Sequence, residues 1–293
     1  MSCAAVFSTA DGTTDAFYLK FTTPKQKSLI LGSSRAAQGI IPSVLNDKIE
    51  NGAFFNYAFT IVQSAYGSVY LKSIRNKLDD NVKNSIHIVC VNPWVICTET
   101  TEKEDSIKFR EVNSYLDKTR FVNMKPNFEY LVESFQSKNI DIVNNKSRKG
   151  DYQTFFVHDD GWLEVKIESD MISTKERTRK KYETYKKALL RNNGLSQIRL
   201  GYLYKTIKLL KESGKVYLVR MPISDDMLGL EQQLVPKFDS LMQKISGDFN
   251  VEYINAMPFR KDYEYTDGHH LTTDSAKRFS EYLAGEINNA KPL

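Results

Sequence analysis

Cysteine and histidine are scarce in this chain of 293 residues, which has only three cysteines and four histidines. The cysteines, Cys3, Cys90 and Cys97, are odd in number and form no Cys-x-x-Cys pair. Neither a disulfide framework nor a zinc ribbon is therefore expected. Because there are so few histidines, any chemistry that needs an imidazole base has few candidate residues.

Long apolar runs and strong charge are also missing. No run is long enough to cross a bilayer, and the net charge is a mild +5. No aromatic and basic recognition motif accompanies that charge, so nucleic acid is not expected as a partner. The opening MSCAAVFSTADG is too short and lacks the charged start of a signal peptide. We expect it to be the remnant of a removed anchor, which would place the protein in the cell envelope or outside the cytoplasm, with a cytoplasmic location as the alternative.

Four common catalytic or cofactor-binding motifs do not occur. The chain has no GxxxxGK[ST] P-loop, no GxSxG nucleophile elbow and no HExxH zinc motif. The turn after the first apolar run has Gly32 and Gly39 but not the GxGxxG spacing of a dinucleotide site. No cofactor and no metal are therefore expected from motifs.

What the sequence does contain is an alternation of strand-like and helix-like segments. The strand-like runs are SLILG, AFFNYAF, SIHIVCVNPW, KVYLVRMP and FNVEYINA. Helix-like segments lie between them, including AAQGIIPSVLNDKI, LEQQLVPKFDSLMQKISG and the final TTDSAKRFSEYLAGEI. This order predicts an α/β fold with three layers, α/β/α, around a parallel five-stranded sheet. We expect residues 1–293 to form a single domain.

The alternation stops between about residues 98 and 194, which predicts a helical insertion. Its most distinctive part runs from Ile172 to Asn192, with eight Lys or Arg and two Glu. A charged helix of this kind is usually a solvated face. The alternative is a cap that touches an anionic polymer or a membrane surface. Because the insertion follows the third strand, we expect it to leave from the carboxyl edge of the sheet and to pack beside or over a site there.

Polar residues that could form a catalytic site follow the first and fifth strands. Ser33 and Ser34 come after SLILG, and YTDGHHLTTD follows FNVEYINA. In parallel sheets these positions share the carboxyl edge, where sites form. Asp267 lies three residues before His270, a spacing that allows a carboxylate to orient an imidazole, as in a serine triad. An ordinary Asx turn before a helix is the simpler interpretation of the same residues.

These residues resemble the SGNH/GDSL hydrolase family, which has a G-x-S block after the first strand and Asp-x-x-His before the last helix. The matching residues are Gly32-Ser33-Ser34 and Asp267-Gly268-His269-His270. The resemblance implies an SGNH/flavodoxin-like fold with Ser34 as nucleophile, His270 as base and Asp267 as the third member. It also implies an oxyanion hole from Ser34, Ala58 and Asn92, and no cofactor.

The block GSSR is more similar to the cell-envelope members of that family, which are alginate O-acetyltransferase-like and DltD-like proteins. This similarity implies a serine esterase or O-acetyltransferase that acts on an acylated carbohydrate, an envelope polymer or a small ester, with a membrane acyltransferase as partner. Arg35 is expected at the rim of the site, where it would bind an anionic substrate group. His269 is expected to line the same rim.

Two other kinds of function stay open from the sequence. A non-catalytic polysaccharide-binding or assembly protein would keep the same fold without turnover. A hydrolytic metal site is the other, and its ligands would come from a scattered set of histidines and carboxylates: His158, Asp159, Asp160, His269 and His270.

Overall fold

The computed structural model describes residues 3–102, 104–147, 154–167 and 170–290. The strands in these ranges are β1 (Ser28–Leu31), β2 (Phe54–Asn56), β3 (Ser85–Cys90), β4 (Cys97–Glu99), β5 (Phe155–Val157), β6 (Leu163–Val165), β7 (Asn192–Leu195), β8 (Gly214–Arg220) and β9 (Glu252–Asn255). Five of them form one parallel sheet in the order β2-β1-β3-β8-β9. The predicted five-stranded parallel sheet is confirmed.

Helices cover both faces of this sheet. They are α1 (Cys3–Phe7), α2 (Ser34–Gly39), α3 (Pro42–Lys48), α4 (Ser68–Lys77), α5 (Tyr115–Lys118), α6 (Asn139–Ser147), α7 (Met171–Leu190), α8 (Gln197–Lys211), α9 (Asp225–Leu234), α10 (Phe238–Phe249) and α11 (Thr273–Asn289). Short 3₁₀ turns occupy Tyr18–Phe21, Pro93–Val95, Ser106–Lys108 and Met257–Asp262, and one π turn spans Tyr130–Ser134. Across the described ranges, no helix combines the length and the apolar character that a membrane span requires.

Alternate residues of each central strand enter two hydrophobic clusters. In β1, Leu29 and Leu31 pack in the cluster that contains residues of α4, α8 and α10. Ile30, between them, packs in the cluster that contains residues of α2, α3 and α11. Successive strand side chains point to opposite faces, so a strand buried on both faces reads as a continuous apolar run. The predicted three-layer α/β/α architecture is confirmed.

Two of the predicted helices are each divided in two by a proline. The segment AAQGIIPSVLNDKI forms α2 and α3, with Ile41 in an extended conformation before Pro42. The segment LEQQLVPKFDSLMQKISG forms the end of α9 and then α10, with Val235 outside helical geometry before Pro236. Proline disfavours helical geometry in the preceding residue and removes a backbone donor. The predicted unbroken helices were therefore wrong at these two points.

The segment between β3 and α8 is closed at its base by a two-stranded antiparallel ladder of β4 and β7, in which Thr98 pairs with Gly194. It is not wholly helical as expected, because β5 and β6 form a hairpin inside it. Its helices α5 and α6 contribute Leu116 and Ile142 to the cluster that also contains Leu29 of the sheet.

His87 lies within β3. Its ring is fully buried, accepts the backbone N–H of Leu29 at Nδ1 (3.2 Å) and places Nε2 2.9 Å from Ser213 Oγ. Burial lowers the pKa of His87 to about 3. Both ring nitrogens are used inside the core, so His87 has a structural role.

Candidate active site

Ser34 lies at the carboxyl edge of the sheet, as the first residue of α2. Between β1 and this helix the chain turns at Gly32, whose φ is +145°. A Cβ at Gly32 would lie 2.7 Å from Cys90 Cβ and 3.0 Å from Ala36 Cβ. Only glycine fits this close approach and this backbone conformation. The turn leaves the Ser34 side chain half-buried, with part of its surface open to solvent.

Asp267 and His270 lie in the loop between β9 and α11, and a single carboxylate organises that loop. Asp267 Oδ1 accepts the backbone N–H groups of His269 (3.0 Å) and His270 (2.9 Å), which is an Asx turn. The same carboxylate also meets the ring of His270, with Oδ2 2.9 Å and Oδ1 3.2 Å from Nδ1. The turn and the carboxylate–imidazole pair, which the sequence presents as alternatives, are both present.

The loop brings His270 to the serine. Ser34 Oγ lies 2.8 Å from His270 Nε2, so the serine, the imidazole and Asp267 form one continuous line of hydrogen bonds. Because the Asp267 carboxylate can only accept hydrogen bonds, Nδ1 carries the ring proton, which leaves Nε2 as the acceptor for the serine hydroxyl. His270 and Asp267 are 8% and 9% exposed. This arrangement allows the imidazole to remove the serine proton.

The electrostatics of the pair keep the imidazole neutral and the carboxylate charged. Burial is the largest influence on His270 and lowers its pKa, and Lys181 and Arg35 add to that effect, while Asp267 partly offsets it. Burial would raise the pKa of Asp267, but the hydrogen bond from the His270 ring and the charge of Lys181 outweigh it and hold that pKa far below its usual range. A neutral imidazole beside an ionised carboxylate is the protonation state that a general base requires.

Helix α7 of the insertion packs directly on this loop. Arg177 Nε donates to the carbonyl of Thr266 (3.0 Å), Lys181 Nζ is 3.2 Å from Asp267 Oδ2, and Tyr185 OH is 3.1 Å from His269 Nε2. The three α7 residues are spaced by four, so they form one stripe along the helix. Sequence reasoning missed them, although this spacing within the basic segment was a usable signal. The helix is not simply a solvated face.

Arg35 and His269 are not at a solvent-facing rim, which corrects the expectation for both. Arg35 is 4% exposed and His269 is 3% exposed. Arg35 Nη2 donates to Glu231 Oε1 (2.6 Å) and its Nε donates to His269 Nε2 (3.1 Å). Tyr185 OH also contacts that nitrogen. A buried guanidinium needs acceptors, and these partners use it inside the protein instead of leaving it for a substrate.

The partner of Arg35 belongs to a chain of charges that is buried except at Asp239. The second oxygen of Glu231, Oε2, accepts from Arg220 Nη2 (3.1 Å), and Arg220 Nη1 donates to Asp239 Oδ2 (2.6 Å). Glu231 lies on α9 four residues after Met227 and shares its buried face. The sequence did not reveal this network, because its members come from four separate elements.

The two predicted oxyanion-hole residues outside the serine block have different surroundings. The backbone N–H of Ala58 already donates to Asn56 Oδ1 (3.2 Å), so Ala58 is not a free donor as expected. Asn92 accepts the N–H of Trp94 at Oδ1 (3.0 Å) and places Nδ2 3.5 Å from Ser33 Oγ. Of the two, Asn92 retains donor capacity beside the serine block, because an amide nitrogen carries two hydrogens.

The histidines and carboxylates of the suggested metal site do not converge. His158 lies at the β5–β6 hairpin, where Nε2 is 3.0 Å from Glu164 Oε2 and the ring stacks on Trp162. Asp160 accepts the N–H groups of Trp162 and Ser43. Among the residues that the structure describes, no group of three or more His, Cys, Asp or Glu side chains could hold a metal ion. The proposed ligand set is therefore not assembled.

Comparison with solved structures finds a distant likeness, whereas comparison with protein families and curated proteins finds none. No protein-family model and no curated protein matches the chain. Among solved structures, the chain is similar to Est24, a carbohydrate acetylesterase from Sinorhizobium meliloti, with 10% sequence identity and a TM-score of 0.41. The alignment covers 90% of this chain and 99% of that one. A likeness this distant assigns no activity, so the chemistry of the site rests on the residues of this chain.

Proposed function

We propose that the protein is a serine esterase or O-acyltransferase of the SGNH type, with an acylated carbohydrate or a small ester as substrate. The single observation that supports this most strongly is the line of hydrogen bonds from Ser34 Oγ through His270 to Asp267, with distances of 2.8 and 2.9 Å. Ser34 is the nucleophile, His270 the general base and Asp267 the residue that orients it.

The reaction proceeds through an acyl-enzyme. Ser34 Oγ attacks the ester carbonyl carbon while His270 Nε2 takes the serine proton, and the C–O bond to the leaving alcohol breaks as the imidazolium returns that proton to the alcohol oxygen. The neutral resting state of His270 supports its role as base. Asp267 stays ionised throughout and stabilises the imidazolium that forms during attack.

The negative charge on the carbonyl oxygen needs hydrogen-bond donors near Ser34. The backbone N–H of Ser34 begins α2 and has no acceptor within that helix. The side-chain amide of Asn92, held by its bond to the Trp94 N–H, is the second donor. One such donor contributes about 3 kcal/mol to transition-state stabilisation. Ala58 is omitted from this hole, because its N–H is bonded to Asn56.

The acceptor of the acyl group distinguishes the two reactions that this site supports. Water gives hydrolysis, whereas a sugar hydroxyl gives acyl transfer through the same acyl-enzyme. A membrane acyltransferase that supplies acyl groups stays a prediction of the family resemblance. A non-catalytic binding protein on the same fold is the alternative, and labelling of the serine distinguishes it from an enzyme.

A fluorophosphonate probe tests the proposal. We expect the wild-type protein to gain one probe adduct, located at Ser34 by peptide mass spectrometry, because only a serine beside a neutral base is nucleophilic enough. The Ser34→Ala variant should gain none, whereas Ser33→Ala, changed at the neighbouring hydroxyl, should still be labelled. Absence of labelling in a folded wild-type protein would favour the binding protein.

Lys181 should set the pH range in which the base works. Its charge lies 3.2 Å from Asp267 and lowers the pKa of His270, as do burial and Arg35. Removing it in Lys181→Met raises that pKa, so the loss of kcat/KM on acidification should begin at a higher pH. The matched control is Lys180→Met, since Lys180 is exposed and pairs with Glu176 (2.7 Å). An acid limb of the pH profile that stays in place or moves to lower pH in Lys181→Met would contradict this assignment.

A further inference from the structure

A cavity of about 550 Å³ lies between α7 and α9, beside the catalytic loop. Cavities of roughly 300–1,000 Å³ are the usual size for small-ligand sites. Its lining is almost entirely polar or amphipathic: Thr174, Lys175, Thr178, Arg179, Tyr182 and Asp226. Five of the six residues belong to the insertion helix, so the cavity depends on the part of the chain that interrupts the sheet.

The wall of this cavity touches the catalytic loop through Thr178. The methyl group of Thr178 lies 3.0 Å from the position that a Cβ would occupy on Gly268, and Gly268 separates Asp267 from His269. Gly268 has a φ of +74°, so the backbone turns sharply at the point of contact. The side chain of Thr178 therefore connects the cavity to the catalytic loop.

The charge of the lining favours an anion. Lys175 and Arg179 are exposed and lie one helical turn apart. Within the described ranges neither has a carboxylate within ion-pair distance, whereas the nearby Glu176 pairs with Lys180 at 2.7 Å. Asp226 is the one acidic residue in the lining. Two unpaired cations against one carboxylate give the cavity a net positive charge, which attracts an anionic group.

The other lining groups suit a carbohydrate. Thr174 and Thr178 supply hydroxyls, and the ring of Tyr182 offers a flat apolar surface for the C–H face of a sugar.

We propose that the cavity between α7 and α9 binds an anionic carbohydrate chain, whose carboxylate or phosphate pairs with Lys175 and Arg179 while an acyl-bearing sugar reaches Ser34. This proposal rests on the proposed esterase or acyltransferase function and names its substrate class. An anionic membrane is the less suitable occupant, because the two cations are accompanied by hydroxyls and an aromatic ring that suit a sugar.

Calorimetric titration of the Ser34→Ala protein tests the cavity without turnover. The probes are an acetylated uronic-acid oligosaccharide, a phosphorylated oligosaccharide and a neutral acetylated xylo-oligosaccharide. We expect at least one anionic probe to bind about tenfold more tightly than the neutral one, and the double change Lys175→Ala/Arg179→Ala to remove that preference. The stronger of the two anionic probes identifies the charged group.

The matched control is Lys186→Ala/Lys187→Ala, which removes the same charge from the exposed face of the same helix. We expect this control to keep the affinity within about twofold. Equal losses of affinity in the two double variants would contradict binding in the cavity, since they would show a general effect of positive charge. Equal affinity for anionic and neutral probes would overturn it too, as would binding only to vesicles of phosphatidylglycerol and phosphatidylcholine.

The experiments distinguish failure of the proposed binding cavity from failure of the proposed function. Labelling of Ser34 by the fluorophosphonate in wild-type protein reports on the triad alone, because that probe carries no sugar and no anionic chain. Labelling at Ser34 without a preference for anionic oligosaccharides contradicts the proposed binding cavity and still supports a serine esterase. Specific oligosaccharide binding without labelling supports the cavity on a protein that binds but does not react.

Discussion

Replacing His270 by alanine should lower kcat/KM for a simple acetyl ester by about 10⁴-fold or more. The ring is the only base placed against Ser34 among the described residues, with Nε2 2.8 Å from Oγ. Loss of one member of a catalytic triad removes most of the cooperative effect, and what remains comes from the oxyanion donors and binding. Initial rates with a chromogenic acetyl ester measure the change, and far-UV circular dichroism verifies that the variant folds.

His269 is the matched control for this experiment. Its ring is held by Arg35 and Tyr185 and does not contact the serine, so His269→Gln, which keeps a hydrogen-bond acceptor, should retain activity within about tenfold. Fluorophosphonate labelling of Ser34 should follow the same order as turnover. If His269→Gln were the more damaging change in a folded protein, the base would be assigned to the wrong histidine. Equal activity in both variants and in Ser34→Ala would exclude a serine esterase.

Replacing Glu231 by glutamine should lower the free energy of unfolding by about 3–5 kcal/mol. Glu231 is fully buried and its two oxygens accept separately from Arg35 (2.6 Å) and Arg220 (3.1 Å). Without the carboxylate, two buried guanidinium groups face each other across a neutral amide. Urea unfolding followed by tryptophan fluorescence measures the loss. Because Arg35 follows the nucleophile directly, we expect activity to fall as well.

The control for Glu231 lies in the same network. Asp239 also binds Arg220 (2.6 Å), but its side chain is 41% exposed, so water replaces much of what Asp239→Asn removes. That variant should lose about 1 kcal/mol or less. A similar loss of unfolding free energy in both variants would mean that the burial of Glu231 does not make its ion pairs more important for stability. A Glu231→Gln protein as stable as the wild type would show that the two arginines find other acceptors.

Several features of the fold and the site follow from local sequence. The apolar strand runs, such as SLIL at β1, predict the parallel sheet, because strands that are buried on both faces need apolar side chains throughout. The rings of Pro42 and Pro236 disfavour helical geometry in the preceding residue. The two helix breaks were therefore predictable from the sequence, although the predicted helices continued through both prolines. The meeting of Asp267 with His270 was also predictable, since both lie in one turn and a carboxylate at this spacing reaches both the backbone and the ring.

Other features depend on partners that are distant in the chain. Arg35 looks like a surface arginine until the fold brings Glu231, 196 residues later, to its Nη2. Lys181 looks like one of many solvated charges until α7 is laid across the catalytic loop, where it meets Asp267. The sequence by itself determined the strand segments, the position of Ser34 after the first of them and the Asp267–His270 turn, because each of these is encoded in a few neighbouring residues. Only the tertiary structure decided which charges are buried, which are paired and what covers the site, because burial and pairing depend on elements that the sequence separates.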